Sequence, residues 1–231
     1  MRGCATGRGM RDVSRNLLYF DLLDACKQPS CPVCHLSLEG VRRYLDGILH
    51  EYVNDPGVRS DLRRSFGYCN QHAWWLTESR GNVLGVAIFQ QDVVNVLCEE
   101  LHGVTLGHLK ARDLVQRLTP PAECPACVQR RSVEDTAIGT LLQNIGDERL
   151  ASAMAGGLCL THFRRALGLT EDGETLDSLV ALQRRAWTGL REELAEFIRR
   201  QDYRFANESP GGERDSVWRS IGIVSGERGL R

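Results

Sequence analysis

Apolar residues along this chain recur at intervals of three and four, the spacing of a helix face. Leu38, Val41, Leu45, Ile48 and Tyr52 form one such stripe. Asn54-Asp55-Pro56 closes it and opens another helix, with Asp55 as N-cap and Pro56 at the first helical position. Val133, Ala137, Leu141 and Ile145 repeat the stripe before Gly146-Asp147. Residues 13–26 predict a helix with Leu17, Leu18, Phe20, Leu22 and Leu23 on its apolar side. The run "GNVLGVAIFQQDVVNVLCEEL" places Val83, Ala87, Val94, Leu97, Cys98 and Leu101 on helical spacing, which predicts Cys98 as a small buried core residue. Residues 174–205 carry Leu176, Leu179, Val180, Ala186, Leu190, Leu194, Phe197 and Ile198, a helix of several turns ended by "NESPGGERD". Strand-like alternation is nearly absent, so the expected fold class is all-α.

The cysteines interrupt this pattern in a regular way. Cys31-Pro-Val-Cys34 is followed after 34 residues by Cys69-Asn-Gln-His72, and Cys124-Pro-Ala-Cys127 after 31 residues by Cys159-Leu-Thr-His162. Each copy is CPxC followed by CxxH, with Gly67 or Gly157 two residues before the third cysteine. Repeated spacing of this kind predicts an internally duplicated helical protein. "CPVCH" taken alone matches a covalent haem attachment motif. His35 has no counterpart, because Val128 occupies its place in the second copy, and no export signal is visible. The haem reading fails on both counts.

Three thiolates and an imidazole make a closed tetrahedral set for Zn²⁺. The two predicted sets are Cys31, Cys34, Cys69 and His72, then Cys124, Cys127, Cys159 and His162, each stapling one copy. A glycine turn entering a helix puts Cys69 beside His72, and Cys159 beside His162, on one face of a first turn. The helix dipole favours a thiolate there. Two Zn²⁺ per chain are expected, with an Fe–S cluster as the lesser alternative. The organisation expected from these motifs is a disordered N-terminus (1–12), an N-terminal helix with the first repeat (13–103), and a linker (104–123). The second repeat with its long helix (124–205) follows, then a tail (206–231) whose Trp218, Ile221 and Val224 are available to dock on the body or on a partner.

Composition narrows the function classes. The 231 residues are 42% hydrophobic, enough for a sizeable core, and the formal net charge of −1 builds in no attraction to nucleic acid or membrane. Lys27 and Lys110 are the only lysines, and a codon bias toward arginine accounts for the rest of the basic residues. No apolar run approaches the roughly 20 residues of a membrane span, and the N-terminus lacks the apolar region of a secretory signal. The chain is therefore expected in the cytoplasm, where thiols favour metal over disulfides. Trp74 and Trp75 are expected to divide between capping the metal-site core and partial exposure. Cys26 is expected as a packed thiol near the first site, with Cys4 in the disordered terminus.

The order CPVC, "EGVRRYLDGILHEYVNDPGVR", "GYCNQHAWWL", CPAC, "GLCLTHFRRAL" and "EFIRRQDYRFANESPGGERDSVWRSI" resembles an uncharacterised bacterial family, a domain of unknown function, from about residue 15 onward. The resemblance implies a bacterial, soluble, two-site Cys/His protein and supplies no activity. Saturated ligand sets leave no open metal position, and no phosphate loop, nucleophile elbow or HExxH motif is present. The reading favoured by the residues is a non-enzymatic, zinc-stabilised interaction or scaffold module that binds another macromolecule or a sister chain. A thiol- or metal-based redox sensor or Fe–S carrier is the alternative, with Cys26 and Cys98 as resolving thiols. Nucleic-acid binding is the third reading, kept by arginine pairs such as those in "DLRRSF" and "HFRRAL".

Overall fold

The computed structural model describes residues 17–78, 82–102, 104, 110–205 and 211–230. The expected disorder of 1–12, the position of Cys4 and parts of the linker and tail segments lie outside the described residues. Within them the chain is helical without strands. The helices are α1 (17–25), α2 (Pro32–Glu51), α3 (Pro56–Arg64), α4 (Asn70–Glu78), α5 (Val83–Leu101) and α6 (Ala111–Arg117). There follow α7 (Pro125–Gln143), α8 (Glu148–Ala153), α9 (Leu160–Leu169), α10 (Gly173–Arg199) and α11 (Ser216–Ser225). The all-α expectation holds.

The local signals explain most boundaries. Asp55 accepts from Val58 N–H at 2.9 Å as the N-cap of α3, with Pro56 after it. Asp147 and Asp172 cap α8 and α10 in the same way. Helix α3 ends in a Schellman arrangement: Gly67 N–H donates to Leu62 O and Phe66 N–H to Arg63 O, with Phe66 at φ 49° and Gly67 at φ 87°. This reversal aims the chain at Cys69.

Two compact units result, and each has its own core. One, inner in chain order only, is the continuous segment Glu39–Ser132; the other, outer in chain order, joins the described residues up to Leu38 with those from Val133 onward. These boundaries fall inside α2 and α7, whereas the motif spacing puts a linker at 104–123. The inner unit packs Val41, Leu45, Ile48, Leu49, Leu62, Tyr68, Leu76 and Phe89. The outer unit packs Leu22, Leu23, Val33, Ile138, Leu141, Leu150, Met154, Leu158, Phe163 and Leu179. Burial of apolar surface at about 25 cal/mol per Å² drives both assemblies.

Some faces differ from expectation. Helix α5 buries Gly85, Phe89 and Val93, while Val83, Val94 and Leu101 stay exposed. Cys98 is exposed with them, so its expected place in the core is wrong. The helix is apolar on several sides, and the Gly85 gap lets it seat against Val53 and Leu49, which selects the buried side. Helix α11 packs near α9 and α10, yet Trp218, Ile221 and Val224 point to solvent and Ser216 is the buried residue.

Candidate metal centres

Four cysteines sit at helix N-caps, and this local fact builds both centres. The carbonyl of Cys31 accepts from His35 N–H, Cys69 from Ala73, Cys124 from Val128 and Cys159 from Phe163, at 2.8–3.1 Å. The CPxC motif is therefore the start of a helix. Its first cysteine caps α2 or α7, proline takes the first helical position, and the second cysteine stands in the first turn. CxxH does the same for α4 and α9. Each centre thus joins two helix N-termini, whose backbone N–H groups and dipoles favour thiolate.

The eight sequence-predicted residues gather in two clusters, but paired differently from the expectation. Cys31 and Cys34 meet Cys159 and His162, whereas Cys124 and Cys127 meet Cys69 and His72. Each CPxC faces the CxxH of the other copy, so the within-copy sets are corrected. Helix length supplies the reason. The 20 residues of α2 carry the chain about 30 Å from Cys31, and the nine of α3 recover only about 13 Å. The 19 residues of α7 and six of α8 leave a similar shortfall. The first turn of each long helix belongs to one core and its later residues to the other: in α2, Val33 and Cys34 belong to one and Val41, Leu45 and Ile48 to the other; in α7, Ala126 and Cys127 belong to one and Ala137, Ile138 and Leu141 to the other.

The donor atoms outline tetrahedra. In the outer centre His162 Nδ1 lies 3.6 Å from Cys31 Sγ, 3.4 Å from Cys34 Sγ and 3.2 Å from Cys159 Sγ, with Cys34 and Cys159 sulfurs 3.6 Å apart. In the inner centre His72 Nδ1 lies 3.2 Å from Cys69 Sγ, 3.6 Å from Cys124 Sγ and 3.5 Å from Cys127 Sγ, with Cys69 and Cys127 sulfurs 3.7 Å apart. Tetrahedral bonds of about 2.3 Å to sulfur and 2.05 Å to nitrogen have edges of about 3.8 Å (S–S) and 3.5 Å (S–N). The sulfurs stand too far apart for disulfides, whose bonds are about 2.05 Å.

The surroundings of the two imidazoles differ. His162 Nε2 faces Glu134 Oε1 at 3.5 Å, and Arg165 Nη1 donates to Glu134 Oε2 at 3.1 Å. Burial disfavours charge on His162, but the Cys159 and Cys31 sulfurs and Glu134 outweigh it, so the metal-free imidazole is pushed up to about 11. His72 is buried with Nε2 unpartnered among the described residues, and burial together with Arg130 lowers it to about 4. Burial also raises the Cys127 thiol to about 12 without a metal. It raises Cys124 too, while N–H groups of Cys69, Cys127 and Ala126 pull that thiol back down.

Further out, Trp75 sets its ring edge-on to His72 at 5.4 Å and carries the Arg42 guanidinium on its face, while Trp74 is exposed. The two tryptophans divide as expected. Cys26 packs its Sγ 3.3 Å from Met154 Sδ, and burial pushes its thiol to about 11, which makes it a poor resolving thiol. Gln183, from α10, accepts from Leu158 N–H and donates to Leu158 O, each at 2.9 Å, and so fixes the strand of backbone before Cys159. Sequence reasoning missed Glu134 and Gln183. The available signal was polarity inside an apolar stripe: Glu134 stands four residues before Ile138, and Gln183 four after Leu179.

Residues 14–229 match the family described as "Family of unknown function (DUF6062)". An "Uncharacterized 23.9 kDa protein in xynA 3'region" of Caldicellulosiruptor sp. (strain Rt8B.4) is 25% identical over 186 residues, covering 79% of this chain and 88% of that protein. No solved structure matches the chain.

Proposed function

Because the chain belongs to the DUF6062 family, whose function is unknown, we propose a role drawn from the two ligand sets: a helical protein stapled by two closed Cys3His zinc sites, acting as a non-enzymatic interaction or scaffold module. The observation that carries this reading is the match between donor separations and the edges of a zinc tetrahedron in both centres. Four protein donors fill the coordination sphere, so neither zinc keeps a position for substrate or activated water. Each zinc joins chain segments far apart in sequence, and its binding energy becomes folding energy. Thiol ligation suits a reducing cytoplasm, and no described helix is long and apolar enough to cross a membrane.

An interaction role agrees with the apolar residues left in solvent on α5 and α11, among them Val83, Leu84, Trp218 and Val224. Nucleic-acid binding draws less support, because the arginines engage carboxylates. Arg59 and Arg63 pair with Asp92, Arg165 with Glu134 and Asp135, and Arg219 with Glu193 and Asp215. Metal analysis by mass spectrometry on anaerobically purified protein tests the reading. Two colourless zinc ions per chain are expected; iron with visible absorption, or no bound metal, refutes it.

A further inference from the structure

The two centres differ in how far they shield their sulfurs. In the outer centre all four donors are buried, Cys34 and Cys159 completely. Its histidine is braced by Glu134, itself buried and tied to Arg165. In the inner centre Cys69 and Cys127 are half-buried, their sulfurs are 3.7 Å apart, and the far nitrogen of His72 has no partner among the described residues. The sequence underlies the difference. Glu134 lies ten positions after Cys124 on the helix that enters the outer core, and the residue ten positions after Cys31 is Val41. Val41 packs in the inner core and carries no polar side-chain atom, whereas Glu134 presents a carboxylate to His162. Loss of such an outer partner to a metal-bound histidine typically weakens a site 10–100-fold. Partial exposure lets an oxidant reach a thiolate.

We propose that the Cys69, His72, Cys124 and Cys127 set is an oxidation-responsive zinc site, in which hydrogen peroxide joins Cys69 and Cys127 as a disulfide and releases the metal, while the outer set keeps its zinc. This rests on the reading that both sets hold zinc. One thiolate attacks a peroxide oxygen, the O–O bond breaks, and a sulfenic acid and hydroxide form. The second sulfur then attacks the sulfenic sulfur, forms the S–S bond and expels a second hydroxide. Two thiolates lose two electrons, peroxide gains them, and zinc leaves as Zn²⁺ with its oxidation state unchanged. With two of its four donors gone, the inner site no longer holds the ion.

The test is zinc release from the zinc-loaded full-length chain under hydrogen peroxide, followed with a chromophoric chelator, with peptide mapping of the cysteines. The expected course is one zinc freed about tenfold or more faster than the other, with a Cys69–Cys127 disulfide, and recovery of the two-zinc form after dithiothreitol and zinc. Glu134→Ala, which touches no sulfur, is expected to speed release of the second zinc and leave the first unchanged. Simultaneous release, earlier loss from the outer set, or a disulfide confined to Cys31, Cys34 and Cys159 overturns the proposal while leaving the two-zinc reading intact. Fewer than two zinc ions before any peroxide is added overturns the reading beneath it.

Discussion

Replacing Gly157 by alanine isolates the turn that delivers Cys159 and His162 to the outer centre. Gly157 has φ 70° and ψ −165°, a region open almost only to glycine, where a side chain costs about 1–3 kcal/mol. An added Cβ would also stand 2.7 Å from Ala186 Cβ and 3.1 Å from the Gln183 amide, so α9 or α10 has to shift. Overpacking of this kind costs about 1–3 kcal/mol. The two contributions together predict a loss of about 2–6 kcal/mol for Gly157→Ala. Gly67 is the internal control. Its φ is also positive, but a Cβ there meets Val93 at an ordinary 3.5 Å, so Gly67→Ala carries the backbone cost alone, about 1–2 kcal/mol. Urea unfolding of both variants at matched metal content, followed by circular dichroism, gives the comparison. A Gly157→Ala variant no less stable than Gly67→Ala would refute the packing argument.

Other perturbations probe the supports around the centres. Gln183→Met keeps the volume but removes both partners of the buried Leu158 backbone, and about 2–4 kcal/mol of stability is expected to go with them, read from the same urea midpoints. If both sets hold zinc as proposed, Glu134→Gln is expected to weaken binding of one ion about 10–100-fold in chelator competition and leave the other unchanged. The Arg59 fork on Asp92 holds that carboxyl below its usual 3.8. A carboxyl depressed in the folded state stabilises above its unfolded value and loses that contribution as pH falls through the folded one. The stability gap between the parent and Asp92→Asn is therefore expected to be constant above pH 5 and to close below about pH 4, measured at equal metal content.

Much of this arrangement was legible in the chain, and the illegible part has identifiable causes. Asp55-Pro56 announces α3 because a cap and a fixed φ act locally, and the glycines before Cys69 and Cys159 announce the turns for the same reason. The eight donors stand out because thiol and imidazole at two- or three-residue spacing share a helix face. Their pairing was hidden. It depends on α2 beginning at Pro32 and not near Leu38, so that the helix outruns what α3 can bring back. Cys98 was misplaced because Val83, Ala87 and Leu101 offer as good a stripe as Gly85, Phe89 and Val93, and only contact with Leu49 and Val53 chooses between them. Which histidine nitrogen faces the sulfurs is likewise a matter of tertiary packing: Nδ1 turns inward in both centres, which leaves Nε2 for Glu134 in one and for no partner among the described residues in the other.

The exchange of ligand pairs between the two motif copies is the central structural claim, and cadmium-113 NMR tests it most directly. With both sites loaded with cadmium-113, metal–proton correlations identify which cysteines share an ion. One cadmium is expected to couple to Cys31, Cys34 and Cys159, and the other to Cys69, Cys124 and Cys127. A cadmium that couples to Cys31, Cys34 and Cys69 together would restore the within-copy pairing and contradict the architecture described for both units.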